Sequence, residues 1–260
     1  MKNIEIITSS QNAQIKLLGK LSQKKYRHKF GKFMIENLAI IYDALRDGYA
    51  AESLFATQEF INKHLEKFEY LQKNSPDTQF YLIDEKLNKQ YSELEMPSGI
   101  TAVYNIKKSA LVQGQSVVYL NGVHDPGNLG TILRTALAFD FVNVVVDETC
   151  VDLYNAKTLG AAKDAIFKLN IIEDKDCEWL KENKNVLPIY AANSNTGTPL
   201  QKFQAQEIFC LVMGSESNGV SEDVLSLAQE SIKIEISEKM ESLNVAIATA
   251  ILLYKLRKGA

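Results

Sequence analysis

The sequence predicts an α/β protein in two parts, the larger built on a parallel sheet with helices on both faces. Three observations carry this. In the second part, the apolar runs VVYL (117–120), VNVVV (142–146), VLPIYAAN (186–193) and IFCLVMG (208–214) alternate with helical stretches. Strands that are continuously apolar, rather than alternating, are covered on both faces. The first third shows the same alternation on a smaller scale. Between the two, NIKKSALVQGQ (105–115) is polar and glycine-containing. We place the boundaries at residues 1–104, 105–114 and 115–260.

Taken in order, QNAQIKLLGKLSQ (11–23) is an amphipathic helix and FMIEN (33–37) a short strand. LAIIYDALRDG (38–48) is a helix ended by Gly48. SLFAT (53–57) and QFYLID (79–84) read as strands around the helical QEFINKHLEKFEYLQK (58–73). KLNKQYSEL (86–94) is a short helix and ITAVYNI (100–106) the last strand of the first part. In the second part, VVYL leads through the loop HDPGNLG (124–130) into the helix TILRTALAF (131–139). LYNAKTLGAAKDAIF (153–167) is mostly helical and KLNII (168–172) a further strand. After CEWLKEN (177–183) and two strands come the helix SEDVLSLAQ (221–229) and the strand SIKIEIS (231–237). ESLNVAIATAILLYKLRK (241–258) is a long, partly apolar C-terminal helix.

Composition bounds the function. The chain has 260 residues, 46% hydrophobic and 23% charged, enough for a core without staples. Cys150, Cys177 and Cys210 show no CxxC spacing and are odd in number, which fits reduced thiols in the cytoplasm. Three scattered histidines make no metal site. The N-terminus has no apolar core of a signal peptide, and no run is long enough to span a membrane. The net charge of −3 argues against a wholly basic nucleic-acid binder, but residues 1–108 carry +3 and residues 109–260 carry −6. The excess sits in KKYRHKFGK (24–32), where Lys24, Lys25, Arg27, Lys29 and Lys32 interleave with Tyr26 and Phe30. Such a mixture suits phosphates and stacked bases, and equally a solvated helix end.

Three loops follow strands of the parallel sheet, and ligands of such sheets bind at the carboxyl ends of the strands. NGVHDPGNLGT offers Gly127 and Gly130, with Asn128 as a candidate helix cap. MGSESNGVS offers Gly214, Glu216 and an Asn218-Gly219 turn. SEKMESLNV places Ser242 where a cap would stand and Asn244 in the first helical turn. GNLGT lacks the GK[ST] of a phosphate loop, and no GxGxxG follows the first strand of this part. Arg134, Glu216, Ser242 and Asn244 would then share one sheet edge, a guanidinium and a carboxylate beside two hydrogen-bonding side chains.

At these residues the sequence resembles a known family. HDPGNLGTILRTALAF, LVMGSESNGVSEDVL and IKIEISEKMESLNVAIATAILLY, in that order, resemble the three signature motifs of the SpoU/TrmH family, RNA ribose 2′-O-methyltransferases of the SPOUT class. KYRHKFGKFMIEN…YDAL resembles the N-terminal substrate-binding domain that many members carry. The resemblance implies a deep trefoil knot in the C-terminal part, bound S-adenosylmethionine, a structured rRNA or tRNA as substrate, and a homodimer through the C-terminal domain. It implies catalytic roles for Asn128, Arg134, Glu216, Ser242 and Asn244. It places Ala191, Ala192, Gly214, Ile234, Ile236 and Leu243 around the cofactor, and Lys24, Lys25, Arg27, Lys29 and Lys32 on RNA.

The chemistry fits these types. A ribose 2′-hydroxyl attacks a sulfonium methyl, so no metal is required. A guanidinium is a poor base because its pKa exceeds about 12. We therefore assign Arg134 to the neighbouring phosphate or the developing alkoxide, with Glu216 orienting Arg134 or a substrate group. Several positions depart from the family pattern. Glu235 and Glu238 stand where proline and glycine are usual, which would put two carboxylates beside the cofactor loop. Gly160–Asp164 lacks an arginine common there, for which Lys157 or Lys163 could substitute, and Asn37 replaces a glycine. An RNA-binding assembly factor that keeps the fold without catalysis is the alternative. A small-molecule methyltransferase is disfavoured by the basic N-terminal part.

Overall fold

The structure, a computed structural model, describes residues 4–257. They form two compact units, one of residues up to Lys107 with Tyr154–Gly160, the other of Lys108–Leu153 with residues from Ala161 on. No described helix is long and apolar enough to cross a membrane.

The first unit contains β1 (Ile4–Ile7), α1 (Ala13–Leu21), α2 (Lys24–Phe30), β2 (Lys32–Ile35), α3 (Leu38–Arg46) and β3 (Ser53–Thr57). It continues with α4 (Gln58–Lys63), α5 (Leu65–Asn74), β4 (Gln79–Ile83), α6 (Glu85–Tyr91) and β5 (Ile100–Asn105). Its sheet runs β1-β4-β3-β5-β2. β1, β4 and β3 are parallel, and β5 is antiparallel to both neighbours. Helix starts are set locally: Asn12, Asn37, Thr57 and Asp84 each accept a backbone N–H of the helix that follows. Leu18, Leu21, Phe55, Tyr81 and Val103 share the core.

Three features here differ from the sequence expectation. β1 pairs at the sheet edge although IEII shows no alternation, and its Ile6 is exposed. The 58–73 stretch is two helices, broken at His64. KKYRHKF is a helix of its own, α2, closed by Gly31 in the left-handed region at φ 62°. The unit also takes in Tyr154, whose ring lies 4.6 Å from that of Phe33.

The second unit opens with β6 (Val117–Leu120), α7 (Pro126–Ala138) and β7 (Asn143–Asp147). After α8 (Ala156–Ala162), most of which belongs to the first unit, come α9 (Ala165–Lys168), β8 (Asn170–Asp174), α10 (Glu178–Asn183) and β9 (Ile189–Ala192). β10 (Thr198–Pro199), β11 (Cys210–Met213), α11 (Glu222–Leu225), β12 (Glu230–Lys233) and α12 (Val245–Leu256) complete it. The sheet order is β10-β12-β9-β11-β6-β7-β8, all parallel, with Tyr119 of β6 opposite both Val145 and Val212. β11, β6 and β7 are interior strands and are buried throughout, which is why their sequences are almost continuously apolar.

Boundaries moved where local chemistry overrode periodicity. The helix expected from Thr131 begins at Pro126, because proline suits the first helical position and Asp125 caps it. LYNAKTLGAAKDAIF splits between α8 and α9, next to Lys163 at φ 57°. The strand expected over 231–237 ends at Lys233, so Ile234 and Ile236 lie in the loop beyond it.

The carboxyl ends of β6, β7 and β11 are tied by one buried carboxylate. Asp147 Oδ1 accepts from the N–H of Gly122 (3.2 Å), Thr149 (3.1 Å) and Cys150 (3.0 Å) and from Thr149 Oγ1 (2.8 Å). Its Oδ2 accepts from Asn121 Nδ2 at 2.6 Å, and Asn121 Oδ1 accepts the N–H of Ser221 at 2.8 Å. Asp147→Ala strands five donors at once. Unpaired buried donors cost about 1–3 kcal/mol each, partly recovered by water, so we expect a loss of about 3–5 kcal/mol. Urea denaturation of the variant checks this, and a loss below about 1 kcal/mol would remove the carboxylate from its structural role.

Candidate active site

Beyond the carboxyl ends of β9, β11 and β12, three loops enclose a cavity of about 600 Å³. Ala192–Asn195 line one side, Met213–Val220 another, and Ile234, Ile236 and Glu241–Leu243 a third. Leu225, Ile232, Val245, Ala248 and Leu252 close the apolar floor. Among the described residues, Glu216 and Glu241 are the charged ones that line the cavity, and no basic side chain does.

Each loop is held open by its own chemistry. A Cβ on Gly214 would lie 2.1 Å from Gly219 C and Val220 N, so this position admits glycine alone. The close approach is to its own loop, pinned by Ser215 N–H to Gly219 O at 2.8 Å and Gly219 N–H to Ser215 O at 3.1 Å. Asn193 folds the next loop by accepting the N–H of Asn195 (2.9 Å) and Thr196 (3.1 Å). Gly197, at φ 126°, passes where a Cβ would lie 2.4 Å from Ser231 O.

Three expected residues are linked in one line. Asn244 caps α12, its Oδ1 accepting from the N–H of Ala246 (2.9 Å) and Ile247 (3.3 Å). Asn244 Nδ2 donates to Asn128 Oδ1 at 2.9 Å. Asn128 Nδ2 donates to Glu216 Oε1 at 2.8 Å. The Glu216 carboxylate also receives the N–H of His124 and Asp125, both at 3.4 Å. Partial burial pulls its pKa up, but hydrogen bonds from Asn128 and from the backbone N–H of Glu216, His124 and Asp125 outweigh that. The carboxyl is held below its ordinary value.

The other expected residues divide. Gly214, Ala192, Ile234, Ile236 and Leu243 line the cavity with Glu216 and Ser242. Ala191 does not; it is buried in the core of β9, because neighbouring strand residues face opposite sides. Two capping assignments change. Asp125 rather than Asn128 caps α7, accepting the Asn128 N–H at 2.7 Å, and Asn244 rather than Ser242 caps α12. Glu216 does not orient Arg134. Arg134 lies exposed on α7, outside the cavity lining, and its guanidinium has no partner among the described residues. Glu235 and Glu238 are exposed and also outside the lining, so neither narrows the cavity.

The basic set belongs to the first unit. Lys24, Lys25 and Lys29 are exposed on α2. Arg27 is 4% exposed and donates through Nη1 to Leu21 O at 2.6 Å, and Lys32 is ion-paired with Glu52. Sequence reasoning missed Asn121, Asp147 and Glu241. The first two act through the backbone of other loops and leave no periodic signal. Glu241 adjoins Ser242 in a motif already quoted and was open to notice.

Comparison with known proteins gives the family and the fold. Residues 115–254 match the model of the SpoU rRNA Methylase family, and residues 12–102 match the MRM3-like substrate binding domain. A protein of Bacillus subtilis (strain 168), 23S rRNA (guanosine(2553)-2'-O)-methyltransferase RlmP, is 32% identical over 99% of this chain and 100% of its own length. A solved TrmH-family structure from Porphyromonas gingivalis is 28% identical with a TM-score of 0.83, covering 97% of this chain and 100% of that one. The AdoMet-bound rRNA methyltransferase from Sinorhizobium meliloti shares the fold at 24% identity and a TM-score of 0.81, over 98% of each chain.

The lowered pKa of Glu216 has a stability consequence with a definite sign. A carboxylate favoured in the folded state adds stability that is fully present above its unfolded pKa, about 4.3, and is lost as pH falls through the lower folded value. Glu216→Gln should therefore be less stable than wild type at neutral pH, with the gap closing only below about pH 4. Denaturation of both proteins across this range decides it. A gap that persists undiminished into acid would mean the charge is not what the loops hold.

Proposed function

The chain belongs to the SpoU rRNA methylase family, and from that premise we propose that it transfers a methyl group from S-adenosylmethionine to a ribose 2′-hydroxyl of ribosomal RNA. The observation that carries the proposal is the line Glu216–Asn128–Asn244, which joins all three motif loops at the rim of one cavity. Since the Bacillus subtilis relative matches over its whole length, 23S rRNA is the first substrate to test, and tRNA the second.

The cavity suits the cofactor on its own chemistry. Its volume of about 600 Å³ lies within the ordinary range for small-molecule sites. Ile232, Ile234, Ile236 and Leu243 offer an apolar wall for a purine, and Asn193, Asn195 and Ser215 offer polar groups. Glu216 and Glu241, with no lysine or arginine beside them, suit a ligand of net positive charge. S-adenosylmethionine is such a ligand, and when bound it supplies the electrophilic methyl group.

The chain's own residues then position the nucleophile. Asn128 and Asn244 are held by each other and by Glu216, so the rim is preorganised rather than ordered by substrate. Ser242 is exposed on the lining and free to reach the ribose. Arg134 binds the phosphate beside the target or the developing alkoxide, because a guanidinium stays protonated and is a poor base. The proton leaves through phosphate or water.

We extend the proposal to a homodimer through the C-terminal unit. Ile247, Ile251 and Tyr254 form an exposed stripe on α12, at 53%, 38% and 55% exposure. They are spaced as one helix face. A second copy packed on this stripe by two-fold symmetry would let Arg134 of one protomer serve its partner's cavity. The trefoil knot belongs to the same reading, tied by the loops that frame the cavity. So does the division of labour, with residues 1–104 holding RNA, 105–114 linking and 115–260 catalysing. The same proposal has the protein act in the cytoplasm.

Transfer of labelled methyl from S-adenosylmethionine to unmodified 23S rRNA and tRNA tests the function. We expect label as a 2′-O-methylnucleoside in one pool. Arg134→Ala should lower kcat about a hundredfold with cofactor affinity unchanged, the scale for losing one group aimed at developing charge. Cofactor binding without transfer to either RNA would favour the non-catalytic assembly factor. For the dimer, Ile251→Glu with Tyr254→Glu should halve the mass by light scattering and abolish transfer. A wild type that is monomeric at micromolar concentration would overturn it.

A further inference from the structure

We propose that α2 and the end of α1 form a stacking platform for an unpaired RNA base, built by Tyr26 and Phe30 between two sets of lysines. This deepens the RNA-methyltransferase reading and rests on it. The placement follows from helical geometry. Tyr26 and Phe30 are four residues apart and so lie about 40° apart around the helix axis. Their rings are near parallel, 14° between planes and 6.0 Å between centroids, and Phe30 is exposed. Lys25 and Lys29 fall on the neighbouring exposed face of α2. Lys20, from the last turn of α1, lies on the rings from another element, its Nζ 5.8 Å from the Tyr26 centroid and 6.0 Å from that of Phe30. Lys25 Nζ is 4.8 Å from the Tyr26 ring.

The structure also separates the five basic residues of this segment by role. Arg27 is on the inward face, holding the carbonyl of Leu21, and Lys32 is held by Glu52. Neither is available to a ligand. Lys20, Lys24, Lys25 and Lys29 have no acidic partner among the described residues. An exposed Phe30 ring and a near-parallel, half-buried Tyr26 ring, set among lysines without an acidic partner among the described residues, match one ligand chemistry: a flat base with a phosphate on either side. A base in a duplex is already stacked on both faces and cannot use the platform. The proposal therefore names single-stranded or looped RNA as what this unit recognises.

The test is direct binding by the full-length protein to polyadenylate, compared with the poly(A)·poly(U) duplex, both read by fluorescence anisotropy. A polyadenylate strand carrying 2-aminopurine adds a reporter of stacking. Tyr26→Leu with Phe30→Leu keeps apolar bulk and helix propensity while removing the rings. We expect wild type to favour the single strand. The double variant should lose about ten- to hundredfold in polyadenylate affinity, the scale for one or two stacked bases, with duplex binding unchanged and 2-aminopurine quenching lost. Lys20→Ala and Lys29→Ala should instead lower the salt dependence on both RNAs. Equal losses on both RNAs in the double variant, unchanged polyadenylate binding, or no polyadenylate binding by wild type would each overturn the platform. Methyl transfer is scored separately. Active wild type with a silent double variant rejects the platform alone. An inactive wild type whose single-strand binding depends on Tyr26 and Phe30 rejects the catalytic reading alone.

Discussion

The candidate active site depends on the direction of one short line of hydrogen bonds. Glu216, held as a carboxylate, only accepts, so Asn128 must present its Nδ2 there. That leaves Asn128 Oδ1 to accept, and Asn244 must donate to it. Asn244 can donate because its own Oδ1 is occupied by the first N–H groups of α12. Each amide is thus oriented by its neighbour, and the sequence of donors runs from a helix N-terminus to a carboxylate. No other assignment of the two amides satisfies all four groups. Cooperative polarisation along such a chain strengthens each member. It also means that the three loops cannot move independently.

Beneath this line sits a second one that does no chemistry. Asp147 and Asn121 fix the backbone after β6 and β7 and hold Ser221 at the start of α11. The loop bearing Glu216 is therefore clamped at both ends, by its Ser215–Gly219 pairing at one and by Asn121 at the other. Gly214 and Gly197 serve the same end by letting backbone approach backbone where a Cβ would not fit. The cavity is consequently a product of main-chain packing, and its lining side chains are free to be chosen for the ligand.

Much of this was legible in the sequence, for identifiable reasons. The central strands declared themselves because burial on both faces demands unbroken apolar runs, as in VVYL and VNVVV. Glu216, Asn128 and Asn244 were legible only in combination: each loop alone reads as turn or cap chemistry, and their convergence at one sheet edge, with the motif resemblance, marked a site. What failed to show was of another kind. β1 exists because its partner β4 offers an open edge, and nothing in IEII encodes that. The start of α7 was misread because periodicity marks the apolar face, whereas Asp125 and Pro126 set the boundary by capping. Ala191 was one residue out, and in a strand one residue is the difference between cavity and core. Arg27 was indistinguishable from its basic neighbours until the helix phase was known, since only a fold says which face of α2 turns inward.

Charge divides the molecule in a way that bears on mechanism. The cavity has acidic lining residues and no basic ones, which favours a cationic small molecule but repels a polyanion. On the proposed reading RNA is drawn in elsewhere, by the exposed lysines around Tyr26 and Phe30. Arg134 lies outside the cavity lining, exposed on α7, with no partner among the described residues. A guanidinium left unpaired among the described residues, rather than folded onto Glu216, is free to meet a phosphate. Had Glu216 bound Arg134, one of the two roles the sequence left open, both charges would be spent on each other. Assigning Glu216 to Asn128 instead keeps the rim rigid and the cation available, and that separation is what a site joining a sulfonium ligand to a nucleic acid requires.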